Sequence, residues 1–102
     1  MQRNYACPGG EIDLVAEEGG TLVFVEVKTR QKGGNELPEA AVTNRKKRRL
    51  CKAARHFMNR YKIAGRVFRF DVVGLEFTED DRWEIHHWPN VIDYRRHLAR
   101  KR

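Results

Sequence analysis

Cysteine is scarce, and the two present, Cys7 and Cys51, belong to no CxxC and no Cys/His ladder. Their spacing therefore offers no zinc site and no disulfide framework, and two reduced thiols are the expected state. Long apolar runs are also missing. The longest, Thr21–Val27, falls far short of the roughly 20 residues that cross a bilayer, and Met1-Gln2-Arg3-Asn4 leads into no signal-like segment. These absences predict a soluble, cytoplasmic protein with no membrane partner. No Gly-rich phosphate loop, nucleophile elbow or HExxH is present, and neither repeats nor low-complexity tracts occur. Acid is the minority charge: 14 Asp and Glu stand against 21 Lys and Arg, a net charge of +7. That balance favours a polyanionic partner without choosing among polyanions. The 102 residues amount to one domain, expected to span residues 1–102 with a core at about 4–88 and a basic C-terminal segment at 91–102.

The chain is organised around GEIDLVAEEGGTLVFVEVK, Gly10 to Lys28. Two apolar runs flank Glu17-Glu18-Gly19-Gly20, the pattern of a β-hairpin. Side chains alternate across a strand, so Glu11, Asp13 and Val15 are expected on one face of the first strand, and Leu22, Phe24, Glu26 and Lys28 on one face of the second. A loop at Gly19-Gly20 sets Asp13 opposite Glu26 and Glu11 opposite Lys28, whereas a loop at Glu18-Gly19 pairs Glu11 with Glu26. Either register gathers Glu11, Asp13, Glu26 and Lys28 on one face. Facing carboxylates destabilise a sheet unless a cation lies between them.

Ahead of this hairpin, residues 1–9 read as an irregular lead-in ending at Pro8-Gly9-Gly10, and after it Thr29–Asn35 reads as a polar loop. From Pro38 to about Tyr61 the period becomes helical. Thr43 or Asn44 is placed to cap the main segment, and Leu50, Ala53, Ala54, Phe57, Met58 and Tyr61 form one apolar stripe; one helix or two both satisfy the pattern. Arg45, Lys46, Lys47, Arg48, Arg49, Lys52 and Arg55 are assigned to the other face. Such a run serves either as a solvated surface or as an electrostatic footprint for phosphates, the latter resting on Arg45, Lys46, Lys47, Arg49 and Lys52. Ala64-Gly65 is expected to end the helix. Val67–Phe77 then reads as a third strand and Arg82–Trp88 as a fourth nearer an edge, with a short basic helix or frayed tail from Val91. His86 and His87 point to opposite faces of their strand and cannot chelate one ion together.

An acid on one strand, followed on the next by acid-x-cation, has a logic for phosphodiester hydrolysis. Asp13 and Glu26 can hold a hard divalent cation, Mg²⁺ or Mn²⁺, with the Val27 carbonyl as a further ligand. Lys28 shares the face of Glu26 and can orient water or offset charge on the scissile phosphate. The competing reading is a surface salt-bridge cluster of little energetic worth.

GEIDLVA, TLVFVEVKTR, EAAVTNRKKRRLCKAA and RFDVVGL, in this order and at these spacings, closely resemble the YraN-like family of uncharacterised bacterial proteins. That family is similar in turn to the PD-(D/E)XK, restriction-endonuclease-like nucleases and to Holliday-junction resolvases. The resemblance covers roughly Asn4 to Leu75. It implies an α/β fold, a central mixed sheet flanked by helices, with Asp13 matching the metal-binding aspartate, Glu26 and Lys28 the ExK pair, Glu11 in the same GEID block, and Lys46 or Lys47 the basic position on the following helix. The implied activity is cleavage of a nucleic-acid backbone, DNA ahead of RNA and branched DNA included. Its rivals are a binding module that keeps the nuclease fold without the chemistry and an interaction domain with a relic cluster. Relatives usually carry an N-terminal helix ahead of the GEID block, and this sequence, opening on Met1-Gln2-Arg3-Asn4, is expected to do without it. The sheet side near Ile12, Leu14, Val23, Val25 and Val27 is thus expected to need other cover, from the C-terminal segment or from a second chain in a homodimer.

Overall fold

The protein is described by a computed structural model covering residues 2–31, 43–63 and 65–91. Five strands form one mixed sheet: β1 (Gln2–Cys7), β2 (Gly10–Glu18), β3 (Thr21–Gln31), β4 (Phe68–Phe77) and β5 (Trp83–Trp88), ordered β1-β2-β3-β4-β5. Every neighbouring pair is antiparallel except β3–β4. A parallel pair needs a crossover, and helix α1 (Asn44–Arg60) lies within it. The architecture is α/β.

The hairpin register is the one closed by Gly19-Gly20, with Glu18 opposite Thr21 and Leu14 opposite Val25. Gly19 (φ 55°) and Gly20 (φ 83°) both occupy the left-handed region that a two-residue type I′ loop requires. The lead-in is not irregular, however, because Gln2–Cys7 pairs along β2 as an edge strand. Only Tyr5 of its six residues is buried, so no apolar alternation announces it.

Thr43 caps α1, its Oγ1 accepting from the Lys46 amide at 3.2 Å. The apolar stripe packs as its period demands: Leu50, Cys51, Ala53, Ala54, Phe57 and Met58 are buried against Tyr5, Ile12, Leu22, Phe24, Phe70 and Val72. Tyr61, at the C-cap, stays 45% exposed. The helix ends before Gly65. Lys62 takes a left-handed conformation (φ 57°), and the Ile63 amide closes on the Met58 carbonyl at 2.8 Å, a Schellman-type end built on a non-glycine residue.

The sheet side expected to lack cover is not bare. Ile12 is fully buried and belongs to the α1 core, Val23 and Val25 are buried, and Leu14 and Val27 are half-buried. That burial is achieved within the chain, which removes the reason given for a homodimer. The exposed large apolar residues lie elsewhere: Tyr61 at the end of α1, Val67 just ahead of β4, and Phe77, Trp83 and Ile85 on the β4–β5 hairpin. Residues 32–42 and the C-terminal segment from residue 92 fall outside the described residues.

Candidate functional site

Strict alternation fails along β2, and the failure shapes the site. Ile12 and Val15 both join the α1 core although they stand an odd three positions apart, so the strand changes face between them. The matching switch occurs on β1, where Asn4 has φ 52° and the Asn4–Asp13 pair is missing from an otherwise continuous register. Asp13 therefore sits at a kink rather than in a regular strand. Its Oδ2 accepts the Val27 amide at 2.8 Å, standing in for a ladder bond, and the β2–β3 pairing stops one step earlier at Leu14–Val25.

β3 stays regular, paired with β4 from Leu22 to Gln31, so Leu22, Phe24, Glu26 and Lys28 share the face that α1 covers. The apolar half of that face is core. The charged half lies beyond it, near the N-terminus of α1: Lys46 Nζ meets Glu26 Oε1 at 3.2 Å, with the Glu26 side chain 15% exposed. Burial pushes the Glu26 carboxyl above its ordinary range, and the Asp13 carboxylate beside it pushes further in the same direction, against the pull of Lys46. Two carboxyl groups from paired strands thus sit in mutual repulsion. Lys28 is half-buried two residues further along.

Glu11 goes elsewhere. Gly10 and Ile12 point toward α1, so the exposed Glu11 between them points away, and no ion pair or hydrogen bond joins it to another described residue. The expectation that Glu11, Asp13, Glu26 and Lys28 share one face fails because the kink at Asp13 interrupts the period on which it rested. Val27 spends its amide on Asp13; its carbonyl is directed to the same strand edge, where the ladder with β2 has already ended.

The basic residues of α1 do not form one face either. At 3.6 residues per turn, five consecutive cations from Arg45 to Arg49 must encircle the helix. Lys46 and Lys47 are half-buried, and Lys46 points to Glu26. Arg45, Arg49 and Lys52 instead line an open hollow of about 490 Å³ together with Arg48 and Gly9. The first turn of α1 holds no acid, so cations crowd the end of the helix dipole that favours anions.

A second polar centre lies on the opposite face. Asp71 of β4 is 2% exposed and accepts from Arg69 Nε at 3.1 Å, the Asn90 amide at 2.9 Å and the His87 ring at 2.7 Å. Burial works against its ionisation, but these bonds outweigh it and hold the carboxyl below its ordinary range. Arg69 also reaches Glu18, tying the hairpin to β4. Sequence reading assigns no role to Asp71 or His87; the sole signal available is an aspartate at the centre of an apolar strand.

Among the described residues no three His, Cys, Asp or Glu side chains converge as a metal cage, and no helix is long and apolar enough to cross a membrane. The sequence profile of the uncharacterised protein family UPF0102, the YraN-like family, matches residues 1–75. UPF0102 proteins of Geobacter sulfurreducens and Geobacter metallireducens are each 42% identical over 93 residues, covering 91% of this chain and 73% and 75% of theirs. One from Herminiimonas arsenicoxydans is 47% identical over 79 residues, covering 78% of this chain and 63% of its own. The matched stretch runs from β1 through Asp71 into β4 and so includes the kink, the carboxylate pair and the basic helix: the chain belongs to the UPF0102 family.

Proposed function

We propose that the protein is a metal-dependent endonuclease with a restriction-endonuclease-like core, acting in the cytoplasm on nucleic-acid backbones, DNA ahead of RNA. One observation carries this reading: Asp13 and Glu26 approach each other at the point where β2 and β3 part, with Glu26 largely buried and its carboxyl pushed up by burial and by Asp13. Carboxylates held together in that way call for a cation. The donors are hard oxygens, two carboxylates and the strand-edge carbonyl of Val27, and suit Mg²⁺ or Mn²⁺. When bound, such an ion would polarise the phosphate and lower the pKa of a coordinated water.

The chain's own residues do the rest. Lys28 presents its ammonium on the Glu26 face to steady a phosphoryl oxygen, and Lys46, held at Glu26 until a metal takes its place, is then free to meet the same phosphate. Glu11 lies beyond direct reach of the pair and supports the site through β2.

The second reading is a binding module that keeps the fold without the chemistry. The Lys46–Glu26 ion pair favours it, since a protein cation already partly offsets the carboxylates. Incubation with duplex, single-stranded and branched DNA and with RNA, with and without Mg²⁺ or Mn²⁺, separates the two. An endonuclease cleaves only with metal and loses cleavage in Asp13→Asn and Glu26→Gln while still binding. Equal cleavage by variants and parent refutes the assignment, and binding without cleavage across the panel establishes the module.

A further inference from the structure

We infer that the hollow lined by Arg45, Arg48, Arg49, Lys52 and Gly9 seats successive backbone phosphates of one nucleic-acid strand. The inference deepens the nuclease reading and rests on its choice of nucleic acid as partner. The four cations stand at i, i+3, i+4 and i+7, one face of α1, where each repels its neighbours. Several described cations are answered, Lys46 by Glu26, Arg66 by Glu17, Arg69 by Asp71 and Glu18 and Arg82 by Asp80, in contrast to Arg45, Arg48, Arg49 and Lys52. None of these four has an ion pair or side-chain hydrogen bond among the described residues. Unanswered like charges gathered around a concavity, at a helix end that already favours anions, break the local rules of helix stability together.

The floor of the hollow is rigid. The β1–β2 turn presses onto α1 so closely that a Cβ at Gly10 would lie 2.3 Å from the Arg49 carbonyl oxygen, and Gly9 (φ 86°) lies beside the Lys52 stem. The anchor is therefore pre-positioned. Seven residues at about 1.5 Å each put Lys52 about 10.5 Å beyond Arg45, roughly three times the 3.4 Å axial spacing of phosphates on one strand. A row of that length suits a strand better than a lone phosphate. Contacts made to phosphates fix register and carry no base information, so binding through this row is sequence-independent. An anionic membrane is the poorer match, because the apolar face that α1 would insert is already packed on the sheet.

The test is binding of a fluorescein-labelled DNA duplex of roughly 20 base pairs to the full chain, in EDTA, from about 50 to 200 mM salt. Four phosphate contacts predict a slope of log affinity on log salt of about −3.6, a loss of roughly 150-fold over that range. Arg48→Ala with Lys52→Ala should bring the slope to about −1.8. Arg48→Lys with Lys52→Arg should restore it, and Arg82→Ala, a cation paired with Asp80 between β4 and β5, should leave the parent slope unchanged. A double-alanine variant with the parent slope, an Arg82→Ala variant that lowers it as much, or a parent that does not bind the duplex overturns the inference. Since no metal is present, failure here is distinct from failure of the cleavage assignment, which rests on Asp13 and Glu26.

Discussion

Asp71→Ala should destabilise the protein by about 3 kcal/mol. The carboxylate is 2% exposed and gathers Arg69, His87 and the Asn90 amide, so its removal strands three donors at once. Breaking a buried ionic cluster costs about 3–5 kcal/mol, and the lower end applies because the Arg69 and His87 side chains, 24% and 49% exposed, can turn to water. Against a total stability of about 5–15 kcal/mol, that loss is visible in urea unfolding. Asp71→Asn keeps an acceptor for the Asn90 amide but no charge for Arg69, and should cost less than alanine. Acid supplies an independent check. A carboxyl held below its ordinary 3.8 adds stability that is present above that value and lost as pH falls through the lower, folded one. The gap between the parent and Asp71→Asn should therefore be full at neutral pH and narrow below about pH 3.8. An alanine cost below about 1 kcal/mol, typical of a surface ion pair, would show that the cluster is incidental to the sheet.

Two further substitutions test the site and its floor. Gly10→Ala places a Cβ 2.3 Å from the Arg49 carbonyl oxygen, and since backbone cannot swing aside as a side chain can, thermal unfolding should report a loss of at least about 1–3 kcal/mol. A neutral outcome would mean that the β1–β2 turn is not locked to α1. Glu26→Gln should stabilise the metal-free protein at neutral pH: a carboxyl raised above its ordinary 4.5 makes the native state bind more protons, so stability falls as pH rises through that window. Urea melts should show the gain vanishing below about pH 4.5, and added Mg²⁺ should raise the parent's midpoint but not the variant's. Destabilisation by Gln would mean that the Lys46 pairing outweighs the burial of the charge.

Periodicity made much of the fold legible. The hairpin, the α1 stripe and the strand at 68–77 announce themselves through spacing of apolar residues, because each buries a face or stripe, whereas the strand at 83–88 shows the alternation with Trp83 and Ile85 exposed, and the choice of Gly19-Gly20 over Glu18-Gly19 as the loop comes only from the pairing register. β1 was hidden for the converse reason. An edge strand that buries Tyr5 alone carries no period, and its register comes from β2. The helix end was misplaced because Gly65 is the expected left-handed residue, whereas Lys62 accepts that conformation to close the last turn. The ring cluster of Phe24, Phe57, Phe68 and Phe70 ties helix and sheet from residues far apart in sequence, contacts that only folding brings together.

Site residues were legible by type, not by face. A motif places Asp13, Glu26 and Lys28 on paired strands, but the sharing of a face depends on an unbroken period of two, and the kink at Asn4 and Asp13 breaks it. The break is what lets Asp13 take the Val27 amide in the plane of the sheet while Ile12 and Val15 both keep their places under α1. A regular β2 in this register would put Glu11 as well as Asp13 on the face of Glu26 and would turn Ile12 out from under α1. The left-handed Asn4 is therefore tied to which acids reach this face: restoring regular pairing there, as Asn4→Val would favour, should swing Glu11 toward Glu26 and draw Ile12 out of the α1 core. The chemistry proposed for this face depends on a backbone irregularity that no count of residue types displays, and that irregularity sits on the strand whose sequence looked least structured.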